Sequence, residues 1–106
     1  MQIIIEKRYE NETDLCYYYG TEGRIDKKAV SVLCRYGKVR GSRLDGKVNV
    51  IVKNAAHRTW GGMGKEYESA EKAIAHYRTP KTKAIIAEAV EWAKKRHEER
   101  LEVAVG

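Results

Sequence analysis

The sequence predicts a small α+β domain, in which a mainly antiparallel sheet of three to five strands carries two C-terminal helices packed on one face. Strand-favouring aliphatic and aromatic residues dominate the first half of the chain. The pair Asp45-Gly46 is typical of a tight hairpin turn. Unambiguous helical periodicity begins at Ser69. A chain of 106 residues suits a single domain, residues 1–106, with one hydrophobic core.

An N-terminal hairpin is predicted by the first part of the chain. Residues 1 to about 9 open with consecutive isoleucines at positions 3–5, whose β-branched side chains favour a strand. Residues 10–14 are polar and predict a turn. Residues 15–19 are rich in aromatics and predict the returning strand, which the glycines within residues 20–23 end.

The segment 26–37 is compatible with either a helix or a strand. In a helix, Asp26 would be the N-cap and Gly37 the C-terminal cap. In a strand, alternate residues would share one face: Val30, Val32, Cys34 and Tyr36. The segment is poor in strong helix formers, so the strand is the favoured interpretation.

A second, basic hairpin is predicted around Asp45-Gly46, because this pair readily adopts the positive φ values of a type I′ turn. Lys47–Lys53 is the strand after the turn, with three valines on one face, Val48, Val50 and Val52. Lys38–Leu44 is predicted as the strand before it, more polar and interrupted by Gly41 at a bulge.

Two helices are predicted at the C-terminus, after a glycine-rich loop over residues 54–65. Ser69 is a suitable N-cap for the first, whose apolar stripe consists of Ala70, Ala73, Ile74 and Tyr77. Thr79-Pro80 supplies an N-cap and a first-turn proline for the second, which is predicted to run to about Arg100.

Positive charge is concentrated in the middle of the chain. The net charge is +6, and residues 35–58 contain seven basic residues against the single acid Asp45. The segments on either side are nearly neutral. The seven basic residues are candidates for binding a partner: Arg35, Lys38, Arg40, Arg43, Lys47, Lys53 and Arg58.

Aromatic residues are the second group of candidates. In a strand, Tyr17 and Tyr19 point to one face and Tyr18 to the other. A sheet face that carries aromatics beside basic residues can stack unpaired bases. Trp60, in the glycine-rich loop, is a further candidate contact. The alternative for the tyrosines is that their rings lie in the core or under a helix.

Catalytic motifs are incomplete. Residues 60–65 resemble a phosphate loop in composition, but a Walker A motif requires a glycine at Thr59 and a hydroxyl residue at Glu66. His57-Arg58-Thr59 has the H-x-T form of some phosphoesterases, which need two copies, and there is one here. We therefore expect no enzymatic activity, with a small hydrolase or phosphoesterase as the third hypothesis.

No cofactor or metal is expected, because the three histidines are far apart in sequence and form no ligand motif. Cys16 and Cys34 are expected to be reduced, buried thiols. No apolar run is long enough to cross a membrane, and the first residues lack the features of a signal peptide. A cytoplasmic protein without membrane contact is expected.

The leading hypothesis for function is a non-enzymatic binding protein that docks its basic β-hairpin on nucleic acid or a nucleic-acid–protein complex. Exposed tyrosines or Trp60 would assist. The second hypothesis is a small protein–protein inhibitor or adaptor, of the kind found in phages and mobile elements, whose basic patch recognises an acidic protein surface.

Overall fold

The structure, a computed structural model, describes residues 3–39, 42–43, 45–54 and 64–105. Within these ranges it contains five strands and two helices. The elements are β1 (Ile3–Glu12), β2 (Cys16–Ile25), β3 (Lys28–Gly37), β4 (Lys47–Asn54), β5 (Lys65–Tyr67), α1 (Ala70–His76) and α2 (Pro80–Val105).

The strands form one antiparallel sheet in the order β1-β2-β3-β4-β5. Each strand pairs with its neighbours in the sequence, as expected when short connections join antiparallel strands. Both helices pack on one face of this sheet. The predicted α+β class, with a mainly antiparallel sheet and two C-terminal helices on one face, is confirmed.

The N-terminal hairpin is confirmed, with longer strands than predicted. β1 continues through the polar residues to Glu12, and the turn lies at residues 13–15. The Thr13 hydroxyl accepts a hydrogen bond from the Cys16 backbone N–H at 3.2 Å and so closes the turn. β2 passes through the glycines that were predicted to end it and finishes at Ile25. Pairing with β1 and β3 on both sides outweighs the low strand propensity of these residues.

The ambiguous segment is a strand, as favoured. β3 pairs with both β2 and β4 along its length. Asp26 is not a helix cap but lies in the turn between β2 and β3, where it has a positive φ of 54°. Asp and Asn are the non-glycine residues that adopt this conformation most readily.

The predicted strand Lys38–Leu44 is wrong. Its described residues, 38, 39, 42 and 43, are not in a strand, and Gly41 lies outside the described residues. β4 pairs instead with β3, so that Val48, Val50 and Val52 lie opposite Cys34, Val32 and Val30. β3 offers β-branched residues that become buried, whereas Lys38–Leu44 is largely polar. The basic hairpin is therefore β3–β4, with residues 38–46 as its connection.

Gly46 has the positive φ that the Asp-Gly pair predicts, 76°. Its backbone N–H donates to the Arg35 carbonyl at 3.0 Å, which starts the β3–β4 ladder. Asp45 supports the same end of the hairpin, since its carboxylate accepts from the Gly37 N–H at 3.2 Å. Asp45 and Gly46 lie in a turn, but the predicted two-residue type I′ hairpin turn is wrong, because the connection between β3 and β4 runs from residue 38 to residue 46.

The helices begin where they were predicted. The Ser69 hydroxyl accepts from the Lys72 N–H at 3.2 Å and caps α1. α2 starts at Pro80 and continues past the predicted end to Val105. α2 packs on β2 and β3, and its buried residues Ile85, Ile86, Ala89 and Ala93 belong to the same core as the valines of β3 and β4. No helix in the described part of the chain has the length and apolar content needed to span a bilayer.

Candidate functional site

The structure separates the predicted basic residues into two groups. Lys38 and Arg43 lie in the β3–β4 connection. Arg35 and Lys47 are paired in register, and Lys53 follows on β4 with the same alternation. This alternation places Arg35, Lys47 and Lys53 on the face of the sheet that the helices do not cover. We call this face the open face. Three candidates lie outside the described residues, namely Arg40, Arg58 and Trp60.

Ion pairs distinguish the members of these groups. Arg35 forms a salt bridge with Glu66, and Lys38 forms one with Glu12 at 2.8 Å. Arg43 is exposed and has no ion pair within the described ranges. Charge at the β3–β4 connection is thus only partly neutralised by neighbouring carboxylates, which leaves Arg43 accessible to an anionic partner.

The prediction that Tyr19 contacts a partner is corrected. Its side chain is only 1% exposed because it lies beneath α2. Tyr17 lies on the same covered face and is half-buried, in register with Tyr36. The alternative interpretation, that these rings pack under a helix, therefore holds for Tyr19, while Tyr17 keeps a partly exposed edge.

His97 of α2 completes an aromatic cluster with these tyrosines. Its ring stacks on Tyr36 with centroids 4.2 Å apart and planes 15° apart. The Tyr19 hydroxyl lies 2.9 Å from His97 Nδ1. Burial lowers the pKa of His97 from its usual value, which favours the neutral ring. A neutral ring that accepts from Tyr19 at Nδ1 carries its proton on Nε2.

Beside this cluster lies a groove of about 540 Å³ at the end of the sheet. Tyr17 forms part of its wall, and two cations lie over its ring, with Arg100 4.7 Å and Lys38 5.1 Å from the ring centroid. Both cations also form salt bridges to Glu12. The ring is thus fixed by neighbouring charges, and these cations are only partly available to an external anion.

Two groups of the covered face should make the protein sensitive to alkaline pH. Burial raises the pKa of the Cys34 thiol to about 12, and burial together with nearby negative groups raises that of Tyr36 to about 12. Above pH about 9 the unfolded chain releases protons that the folded protein retains. The free energy of unfolding should therefore fall as pH rises, by about 1.4 kcal/mol per pH unit for the fully titrating thiol.

Thermal melting across this alkaline range measures the effect. Cys34→Ala is the informative variant, because it removes the thiol and should give a shallower loss of stability with pH than the parent protein. Equal pH dependences for the two proteins would contradict the assignment of the effect to Cys34.

The open face has its own arrangement of side chains, which the register defines. One row across the strands contains Tyr18, Arg35 and Lys47. The next contains Tyr9, Gly20, Leu33 and Asn49. The third contains Lys7, Glu22, Ser31 and Ile51, and the fourth contains Arg24, Ala29 and Lys53. The basic residues thus flank a central region with an aromatic and apolar floor.

A shallow hollow of about 180 Å³ lies in that central region. It is lined by Tyr9, Glu22, Ser31, Leu33, Asn49 and Ile51. Aromatic and aliphatic side chains alternate there with a carboxylate, a hydroxyl and an amide. Such a mixture can contact a planar ring on its face and bond to its edge.

Sequence reasoning missed Tyr9 as a site residue, because simple alternation places it with Ile3 and Ile5. A β-bulge between Ile5 and Lys7 reverses that alternation. Ile5 consequently lies opposite Gly23 on the covered face, whereas Tyr9 lies opposite Gly20 on the open face. The available signal was Gly20 itself, since a glycine within a strand often marks a close approach.

Comparison with known proteins does not identify the chain: no family model matches it, and neither the curated proteins nor the solved structures contain a match.

Both cysteines are free and buried. Within the described ranges, no group of three or more His, Cys, Asp or Glu side chains is placed to hold a metal ion. His57, the phosphoesterase candidate, lies outside those ranges.

Proposed function

We propose that this protein is a non-enzymatic nucleic-acid-binding protein, which docks through the β3–β4 connection and the adjoining basic residues of the open face. The observation that carries the proposal is the placement of basic side chains around one end of the β3–β4 hairpin. Arg43 is exposed in the connection, and Lys47 begins β4 next to it. Arg35 lies beside Lys47 in register.

Electrostatics support a phosphate backbone as the partner. The connection is basic in sequence, with Lys38, Arg40 and Arg43 against the single acid Asp45. The Asp45 carboxylate is directed at a backbone N–H of its own hairpin. Each Lys or Arg that contacts a phosphate releases a condensed counterion, so several such residues together give measurable affinity at low salt.

Neutralising this end of the hairpin should weaken binding. The combined change Arg40→Gln, Arg43→Gln and Lys47→Gln is expected to reduce affinity for nucleic acid at least about tenfold at low salt. The slope of log affinity against log salt should also become shallower by about two, since each lost phosphate contact contributes about 0.7–0.9. Fluorescence anisotropy at several salt concentrations measures both quantities.

A matched control carries the same charge change away from this end of the hairpin: Lys27→Gln in the β2–β3 turn, Lys28→Gln at the start of β3 and Arg78→Gln between α1 and α2. These residues are exposed, and the control should retain most of the affinity and slope. Equal losses in the two triple variants would show that net charge, and not the hairpin, determines binding. Absence of binding by the parent protein to any nucleic acid at low salt would rule out the proposal.

A protein partner is the second candidate, favoured by an apolar pair at the same end. Leu15 and Val39 are 67% and 71% exposed. They are brought together by a hydrogen bond of 2.9 Å from the Lys38 N–H to the Leu15 carbonyl. Exposed apolar side chains rimmed by charge occur at protein interfaces. A protein that co-purifies after nuclease treatment, and is lost with Leu15→Ser and Val39→Ser, would favour this candidate.

A further inference from the structure

We infer that the hollow of the open face binds an unpaired nucleobase, which stacks on Tyr9, and that the preferred ligand is single-stranded nucleic acid. The inference rests on the proposed function and adds the class of nucleic acid and the position of the base. Four features carry it: the orientation of the Tyr9 ring, the hollow beside it, the polar groups at its edge and the surrounding charge.

The Tyr9 ring lies face-on over Gly20. A Cβ atom at residue 20 would lie 2.1 Å from Tyr9 Cζ and 2.4 Å and 2.6 Å from its two Cε atoms. The three atoms are adjacent in the ring, and the Cβ position is nearly equally far from all of them. Since these distances are longer than the radius of the ring, the Cβ position lies above the ring plane and not within it. Only glycine allows this approach, because any side chain would displace the ring. One face of Tyr9 is thus on the sheet, and the other is directed outward.

Leu33 and Ile51 supply the aliphatic part of the hollow beside Tyr9. Leu33 lies next to Gly20 in register, and Ile51 lies opposite Ser31 in the next row. Together they line the hollow of about 180 Å³. A base within a duplex has both faces covered by its neighbours and cannot enter such a hollow. An unpaired base can turn out and stack on an aromatic ring.

The polar groups of the hollow suit a base that carries an amino group. A Glu22 carboxylate accepts hydrogen bonds, whereas the Asn49 side chain both donates and accepts. Exocyclic amino groups of cytosine, adenine and guanine are donors, and thymine and uracil have none. A carboxylate within the hollow therefore favours cytosine over thymine.

Charge around the hollow is complementary to a strand that crosses it. Lys47 and Lys53 lie on the same strand, one on each side of the hollow, about 20 Å apart at the usual rise per residue. Lys7 Nζ lies over the Tyr9 ring, 5.6 Å from its centroid, so this flexible side chain turns aside to a phosphate when a base stacks on the ring. Two acids of this region, Glu6 and Glu66, are engaged by Arg24 and Arg35. A phosphate backbone thus meets lysines on both sides of the stacked base.

The test compares oligo-dC, oligo-dT and a mixed-sequence duplex of about 12 nucleotides at neutral pH, by fluorescence anisotropy. The parent protein should prefer oligo-dC to oligo-dT, and both to the duplex. Tyr9→Leu keeps the floor apolar but removes the ring, so affinity for oligo-dC should fall about tenfold with little change for the duplex. Tyr9→Phe should retain binding, since stacking does not need the hydroxyl.

Two further variants test the position of the ring and the base preference, and a crosslinking experiment tests the site independently of protein stability. Gly20→Ala keeps the tyrosine but displaces its ring, and should weaken binding of oligo-dC as Tyr9→Leu does. Glu22→Gln should lower the preference for oligo-dC over oligo-dT. Ultraviolet crosslinking of the parent protein to oligo-dC, followed by mass spectrometry, should identify Tyr9 and thus locate the base independently of protein stability.

The outcomes distinguish the inference from the function on which it rests. If the parent protein binds nucleic acid but Tyr9→Leu and Gly20→Ala both bind oligo-dC as tightly, the base site is wrong and the proposed function stands. A preference of the parent protein for the duplex, or a protein partner that occupies the open face in a crosslinking map, would also overturn it. Failure of the parent protein to bind any of the probes would overturn the proposed function itself.

Discussion

Replacement of Tyr19 by alanine is expected to lower the free energy of unfolding by about 3–5 kcal/mol, the usual cost of deleting a buried aromatic side chain. Among the residues that the structure describes, Tyr19 is the largest side chain that is almost completely buried. Its ring packs edge-on against Tyr36 and Trp92, which lie on the sheet and on α2. Its loss would leave a cavity where the C-terminal half of α2 contacts the sheet.

Chemical denaturation, monitored by circular dichroism, measures this effect. Tyr19→Phe is the control, because it keeps the packing and removes only the hydroxyl that bonds to His97. Its cost should be about 1 kcal/mol, since His97 is half-buried and water can replace the lost partner. Similar losses for the two variants would show that the hydrogen bond, and not the ring, holds α2 on the sheet.

Gly23→Ala is expected to destabilise the protein by about 3 kcal/mol, at the upper end of the range for overpacking. A Cβ atom at this position would lie 2.3 Å from the backbone oxygen of Ile4 and 3.2 Å from Ile85 Cδ1. A backbone atom cannot rotate away as a side chain can, so β1 would have to shift next to its bulge.

Gly46→Ala is the matched control for this prediction. No atom lies within 4 Å of a Cβ at residue 46, but its φ is +76°. The expected cost is therefore conformational only, about 1–2 kcal/mol. Denaturation midpoints of the two variants can be compared directly. A smaller loss for Gly23→Ala than for Gly46→Ala would show that β1 adjusts easily at the bulge.

Several helices and strands could be predicted from the local sequence, because the residues that specify them lie within a few positions of one another. Ser69 and Pro80 mark the helix starts through capping and a fixed φ, and both starts are confirmed. The β-branched residues of β3 and β4 indicated strands, and the structure contains them. The segment Lys38–Leu44 was mistaken for a strand because a turn signal at Asp45-Gly46 says nothing about the length of the loop before it.

The candidate site also has features that the sequence predicts and features that depend on tertiary contacts. Charge counting located the basic segment, since it needs no knowledge of contacts. Alternation placed Tyr17 and Tyr19 on one face, which the register confirms. Alternation does not say which face the helices cover, and the covered face is the one that carries these tyrosines.

The sequence by itself determined the α+β class, the positions of both helix starts and the location of the excess charge. Only the tertiary structure decided which tyrosines are available to a partner. α2 buries Tyr19, and the bulge after Ile5 turns Tyr9 to the open face. Both effects arise from contacts between residues that are distant in the sequence, whereas propensities, caps and charge are properties of neighbouring residues.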